Sequence, residues 1–408
     1  MKRILALDGG GIRGVFSLEI LLKIEEVLRK HYEQTDPAKA AKFVLREHFD
    51  FLAGTSTGAI IATCLCWGMS VKEVMDLYLE HGPKMFQPVP WYRPIKKYLV
   101  ARFQSGPLTD MLKGLFPGEK GEPATLGSKR LRNTSLENLL LVVVRNHTTG
   151  SAWPLTNNPK AKYNQLDRPD CNLRIPLWQL VRASTAAPVF FPPEEIALSQ
   201  LGKQDDEDAA IADSAKLDEA DIEKAATDVA NAARAQLFVD GSITPYCNPA
   251  LIAALTAVLP GYKVDWPTGP KNIRVVSVGT IAFSSELPVS NPTLWVGYHA
   301  AQIPTALLET MAWQQDYLCR CLGECLYGEE LDSEVGDLLP GNPESAPPNG
   351  HSWFSYVRYN RRYKKERMEE ILREHPRLAR IDAIDAIPIL RQIGQEYAEM
   401  TVKLEHLI

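Results

Sequence analysis

The sequence predicts an α/β fold built on a mostly parallel sheet. Three observations carry this reading. Short apolar runs alternate with stretches whose apolar residues recur at helical spacing. Two of the joins are tight glycine-rich turns, Asp8-Gly9-Gly10-Gly11-Ile12-Arg13-Gly14 and Gly54-Thr55-Ser56-Thr57-Gly58. The continuous β-branched run from Leu139 to Arg145 reads as a strand buried on both faces. Strands alternating with helices through short turns are the mark of such sheets.

In chain order, Ile4 to Leu7 reads as a buried first strand. Leu18, Leu21, Leu22, Ile24, Val27 and Leu28 then define a helix over 17–30. Residues 31–48 are polar and mixed. Phe49 to Leu52 is a second strand, and Ala59 to Trp67 a small, apolar helix under a sheet. Val71 to His81 is amphipathic, whereas 82–134, with Trp91, Tyr92 and Phe103 among prolines and glycines, reads as irregular. A helix over 175–184 precedes Ala186-Ala187-Pro188-Val189-Phe190-Phe191-Pro192-Pro193, whose prolines exclude a central strand. Residues 199–235 form an insertion rich in alanine and acids. Leu237 to Val239 is a strand ending at Asp240-Gly241-Ser242, Pro249 to Leu259 a helix, and Ile273 to Val278 another central strand. From 293 onward the pattern is mostly helical, with a Pro/Gly-rich linker at 332–350. Two helices follow over 363–408, parted by the stretch from Asp382 to Pro388. A catalytic domain over 1–285 and a mostly helical region over 286–408 packed on it are therefore expected.

With 45% hydrophobic and 23% charged residues, the 408-residue chain has ordinary globular composition and can bury a large core. A net charge of −5 gives no global pull toward nucleic acid, so no nucleic-acid polymer is expected as a partner. Seven cysteines without framework spacing fit a reducing compartment. The apolar run after Met1-Lys2-Arg3 is too short for a signal-peptide core, and no stretch of eighteen or more apolar residues occurs. The expected setting is cytoplasmic, with any membrane contact made from the surface.

Ser56 stands at the apex of a G-x-S-x-G turn between an apolar strand and a small-residue helix. Gly54 and Gly58 let the backbone turn and the helix pack closely. Such an elbow exposes a nucleophilic hydroxyl at a helix start; a serine capping an ordinary turn is the plainer alternative. The loop from Gly9 to Gly14 satisfies G-x-G-x-x-G, a weak dinucleotide signal by itself. No second strand closing in an acid follows at the required distance, and Asp8 is a poor neighbour for a pyrophosphate. Backbone N–H groups on successive glycines can instead hold an oxyanion. Arg13 fixes that loop, adds positive potential, or is a plain surface arginine.

A serine nucleophile needs a base. Of the eight histidines none lies in a base motif; His299, His351, His375 and His406 are those an α/β-hydrolase chain order allows. Asp240 is the better placed, since it ends a strand and precedes a glycine. A carboxylate becomes a stronger base when burial raises its pKa. The alternative for Asp240 is a simple Asp-Gly turn.

Taken in order, Asp8-Gly9-Gly10-Gly11-Ile12-Arg13-Gly14, Gly54-Thr55-Ser56-Thr57-Gly58, the block from Ala183 to Pro192 and Asp240-Gly241 resemble the patatin-like phospholipase family over residues 4 to about 250. The resemblance implies a three-layer α/β/α fold and a Ser–Asp dyad without histidine. Ser56 matches the nucleophile, Asp240 the base, and Gly9, Gly10, Gly11 and Arg13 the oxyanion loop. Ser242 departs from the glycine or alanine usual after Asp-Gly. The implied activity is a phospholipase A-type lipid acyl hydrolase acting on a phospholipid membrane surface, with no metal or organic cofactor. Some bacterial relatives are switched on by cyclic nucleotides in anti-phage defence, so a cyclic-nucleotide activator sensed by the C-terminal region is a further expectation. Two rivals stand beside this: a histidine-dependent α/β-hydrolase-type esterase, and a nucleotide-binding protein using the first glycine loop.

Several other features remain. The acidic run at 205–228 is either a cover over the acyl channel or a solvated helical insertion. Arg358 to Arg380 is basic but interspersed with glutamates, which favours an ordinary helix face over lipid headgroup contact. Cys319, Cys321 and Cys325 read as buried thiols on a helix. Trp91, Tyr92, Phe190 and Phe191 line an acyl pocket or pack in the core.

Overall fold

The computed structural model describes residues 1–85, 103–132, 137–198, 235–281, 296–331, 336 and 352–408. Nine strands are found among them: β1 (Lys2–Leu7), β2 (Phe51–Thr55), β3 (Leu139–Asn146), β4 (Ser151–Thr156), β5 (Glu194–Ile196), β6 (Gln236–Asp240), β7 (Ile273–Val278), β8 (Glu324–Tyr327) and β9 (Ser355–Tyr359). They form one sheet in the order β5-β6-β3-β2-β1-β7-β9-β8, with β4 also paired to β3. The run β3-β2-β1-β7-β9-β8 is parallel throughout, while β4, β5 and β6 join antiparallel.

Alternation along the central strands sets the layers, because successive side chains leave opposite faces. Leu5 and Leu7 of β1, Leu52 of β2 and Leu140, Val142 and Val144 of β3 enter one core. Ile4, Ala6, Phe51, Ala53, Leu141 and Val143 enter the other. The first core is covered by α1 (Gly14–Thr35), α2 (Thr57–Trp67), α3 (Val71–Met85), α4 (Gly106–Leu115) and α5 (Leu177–Ser184). The second is covered by α6 (Ala250–Val258) and α7 (Val296–Leu322). Every residue of α2 is buried, as its all-round apolar character requires. The architecture is thus the expected α/β fold in three layers.

The C-terminal part differs from expectation. The stretch after 293 supplies β8 and β9 to the same sheet, in register with β7, so the sheet crosses the expected boundary at 285. Helical periodicity hid β9 because Ser355-Tyr356-Val357-Arg358-Tyr359 is short and buried on both faces, with no polar alternation to read. Two later helices do appear, α8 (Lys365–Glu374) and α9 (Ile387–Thr401), and α9 lies against α1. Arg358 therefore belongs to a core strand, not to a basic helix face; exposed pairs such as Arg367–Glu370 hold that description for α8. Cys319 is buried on α7, but Cys325 is exposed on β8. Trp91, Tyr92 and the acidic insertion fall outside the described residues, apart from Ala235.

Close backbone approach explains Gly58. A Cβ there would overlap the Leu7 carbonyl, so glycine lets α2 lie directly on the end of β1. Gly58→Ala should lower stability by about 3 kcal/mol or more, since backbone must move to admit it; chemical denaturation measures this.

Candidate active site

Ser56 follows the last residue of β2 and precedes α2. Its backbone has φ 54° and ψ −122°, a region L-residues seldom occupy, which turns the side chain out of the elbow. The strained conformation is held from outside: the Ser56 N–H donates to Ser184 Oγ at 2.9 Å, and Ser184 Oγ donates to the Val143 carbonyl at 2.7 Å. Ser184, at the end of α5, thereby ties the elbow to β3. The hydroxyl lies at the N-terminus of an 11-residue helix, where the dipole favours negative charge.

Asp240 reaches the same place from the opposite direction. β3 runs three residues beyond the Thr55–Val143 pair that ends β2, and β6 takes up the vacated edge, with Asp240 opposite Val144. The rising β2 and the descending β6 meet end to end. Ser56 Oγ donates to Asp240 Oδ2 at 2.6 Å. The Ser242 N–H donates to Asp240 Oδ1 at 2.7 Å, which fixes the carboxylate rotamer. Both side chains are buried. Burial pushes the Asp240 pKa up to about 6, and the hydrogen bonds from Ser56 and Ser242 and the charge of Arg182 pull it back. A carboxylate at that value accepts a proton far better than an exposed one.

The glycine loop sorts its amides. The Gly9 N–H donates to the Cys247 carbonyl at 3.0 Å and the Ile12 N–H to the Ile381 carbonyl at 2.9 Å. Neither the Gly10 nor the Gly11 N–H has a protein acceptor among the described residues. Gly10 and Gly11 line the pocket that holds Ser56; Gly9 and Arg13 line a separate, more polar cavity behind the loop. Arg13 is buried and faces Glu309 at 3.5 Å. Of the four residues expected to form an oxyanion loop, Gly10 and Gly11 share the pocket of the hydroxyl and Gly9 and Arg13 line the cavity behind it. Sequence alone could not separate them, because the acceptors that engage Gly9 and Ile12 lie more than 200 residues along the chain.

The pocket that holds Ser56 is walled by Ile60, Tyr78, Met85, Leu108, Phe190 and Phe191. Apart from the reacting groups its lining is almost wholly apolar, which suits a hydrocarbon chain. Tyr78 is kept there by a hydrogen bond from its hydroxyl to the Thr57 carbonyl at 3.2 Å. Phe190 and Phe191 are thus pocket residues, as one of their two readings had it.

The described histidines stand elsewhere. His48 is buried against Tyr32 and the Leu407 carbonyl, and His406 bonds the Tyr359 hydroxyl. Neither they nor His375 line the pocket; the side chains of His299 and His351 lie outside the described residues. Among the described residues there is no group of His, Cys, Asp or Glu suited to a metal ion, and no helix long and apolar enough to cross a membrane.

Comparison with known proteins follows the same line. A family model described as Patatin-like phospholipase matches residues 5–254. The chain is 29% identical over 199 residues to a cGAMP-activated phospholipase of Vibrio cholerae serotype O1, covering 47% of this chain and 49% of that one. It is 26% identical over 300 residues to a cGAMP-activated phospholipase of Escherichia coli strain TW11681, covering 72% and 67%. To a cUMP-AMP-activated phospholipase of Escherichia coli it is 33% identical over 125 residues, covering 31% and 32%. In the first of these the chain spans about half of the relative's length.

The raised Asp240 pKa carries a stability consequence. A carboxylate with a native pKa above its unfolded value of 3.8 loses stability as pH rises from there through about 6, because the folded state binds the proton more tightly. Asp240→Asn should therefore keep or raise the unfolding free energy at neutral pH, by up to about 3 kcal/mol. Denaturation of parent and variant at pH 7.5 checks this.

Proposed function

The chain belongs to the patatin-like phospholipase family, and from that premise we propose that it is a lipid acyl hydrolase in which Ser56 is the nucleophile and Asp240 the base. The observation that carries the reading is the 2.6 Å hydrogen bond between Ser56 Oγ and Asp240 Oδ2 at the mouth of an apolar pocket. Asp240 takes the hydroxyl proton as Oγ attacks the ester carbonyl. The tetrahedral oxyanion is held by the Gly10 and Gly11 amides with help from the α2 dipole. Collapse expels the alcohol, a lysophospholipid, which leaves with the proton from Asp240. Water then gives a proton to Asp240 and attacks the acyl-serine. The fatty acid departs and Ser56 regains its hydrogen. The apolar pocket holds the acyl chain through both halves of the cycle.

Phospholipid of a membrane surface is the proposed substrate, reached by a peripheral encounter. The pocket wall supports the choice: it offers area to a hydrocarbon tail and few polar groups to anything else. Three relatives carry names that include activation by cGAMP or cUMP-AMP, and those names support a cyclic dinucleotide as activator. The two rival readings find less support. Asp240, and no described histidine, meets the hydroxyl. The first glycine loop has Asp8 ahead of it, and its Gly9, Ile12 and Arg13 amides are already engaged.

Ser56→Ala should abolish fatty-acid release from mixed phospholipid vesicles with the fold intact by circular dichroism; release at the parental rate refutes the nucleophile. The same assay with and without cGAMP should show stimulation in the parent only, and equal rates would remove the activator. Because Asp240 works as a base only when ionised, kcat/KM should rise with pH through about 6 and level off above it. A pH-independent profile between 5 and 8, about that midpoint, would count against the assignment.

A further inference from the structure

The first glycine loop is held in place largely by residues beyond 254. Asp8 directly follows β1, its approach strand. Its carboxylate accepts from Arg358 Nη1 at 2.8 Å and from Nη2 at 2.5 Å, a two-pronged pair buried on both sides. Arg358 lies on β9, two strands from β1. Register explains how it reaches: Ala6 pairs Ser277 and Ser277 pairs Arg358, so the three stand in line across the sheet. Strands about 4.8 Å apart place the Arg358 backbone roughly 10 Å from β1, a span that the arginine and aspartate side chains cover together. Nη1 also donates to Ser277 Oγ at 2.7 Å on the way across, which holds the side chain along that line.

Other attachments continue the pattern. Thr280 Oγ1 donates to the Gly9 carbonyl at 3.0 Å, and the Ile381 carbonyl accepts from Ile12 N–H. These fix the loop on both sides of Gly10 and Gly11. Neither glycine has a side chain to hold it, so their amides point wherever the flanking anchors direct them. A planar guanidinium with two bonds to one carboxylate sets orientation as well as distance.

We propose that Arg358 is a positioning residue for acyl transfer, acting through Asp8 to aim the Gly10 and Gly11 amides at the developing oxyanion. This rests on the reading of Ser56 and Asp240 given above. It makes the C-terminal part of the sheet a working part of the site, although the family match ends at 254.

The test uses the full chain and 4-nitrophenyl butyrate, a soluble ester that removes the membrane encounter from KM. Arg358→Gln should lower kcat by about 10²–10³, the loss seen when one oxyanion donor is misplaced, with KM nearly unchanged. Arg358→Lys keeps the charge but not the fork, and should recover part of that loss. Ser56→Ala runs alongside. If it retains activity, the acyl-transfer reading itself fails. If it is inactive while folded Arg358→Gln keeps kcat within about tenfold of the parent, the positioning role alone fails. Should Arg358→Gln not fold, Arg358→Lys decides: a folded variant with parental kcat overturns the proposal, and a fall of about tenfold or more at constant KM supports it. A rise in KM that accounts for the whole loss also overturns it.

Discussion

The site depends on β3 being longer than β2. The two strands pair in parallel until Thr55 meets Val143, and β3 then continues alone. That unpaired edge would expose backbone donors and acceptors inside the molecule, which is costly. β6 fills it from the other direction and ends at Asp240 opposite Val144. Two strands that terminate face to face must bring their next residues together. One of these is the elbow serine and the other the strand-ending aspartate, nearly two hundred positions apart. Gly241 allows the turn that follows, since a Cβ there would overlap the Val143 carbonyl. Ser242 extends its amide back to the carboxylate. The dyad is therefore a consequence of strand length and pairing order more than of any local motif.

Burial then does two jobs that oppose one another. It raises the Asp240 pKa and makes the carboxylate a useful base. It also disfavours the ionised form on which the chemistry depends, so the native state carries a desolvation penalty at neutral pH. Two short hydrogen bonds, from Ser56 and Ser242, offset part of that penalty and at the same time lock the geometry. The Ser56 elbow shows the same balance. A serine at positive φ is strained, and the strain is contained by the Ser184 bond and by α2 packed rigidly on the sheet. Each feature that weakens the fold is braced by a residue one shell further out.

How much of this was legible in the sequence follows from the range of the interactions. The glycine turns, the central strands and the two residues that meet at the elbow, Ser56 and Asp240, were readable because each is signalled by its neighbours: Gly54 and Gly58 frame Ser56, and a β-branched run announces β3. The antiparallel entry of β6 was not readable, since the expectation was a mostly parallel sheet and gave the strand ending at Asp240 no direction. Ser184 gave no sign of its bond to the Ser56 amide, although it sits in the Ala-Pro-Phe-Phe block that carried the family resemblance. β8 and β9 were missed because β8 is a short, mostly exposed edge strand of four residues and β9 is five residues buried on both faces, so neither leaves a period to detect. Arg358 was hardest of all. Surrounded in sequence by other basic residues, it looks like surface charge, and only the register of three strands turns it toward Asp8.

That register also bears on why the first loop suits acyl transfer better than nucleotide binding. A dinucleotide loop needs several consecutive amides and a helix N-terminus open to a pyrophosphate. Here the Gly9 and Ile12 amides are bonded to the protein on either side of an open pair. Two amides are enough for one oxygen and too few for a diphosphate. Asp8, a repulsive neighbour for any free phosphate, is neutralised by a guanidinium that it holds in the core, away from the pocket. An acid that would spoil a phosphate site thus becomes the handle by which the loop is held. The same glycines that satisfy a nucleotide fingerprint on paper are confined, by partners from the far end of the chain, to one open pair of amides in the lining of the Ser56 pocket.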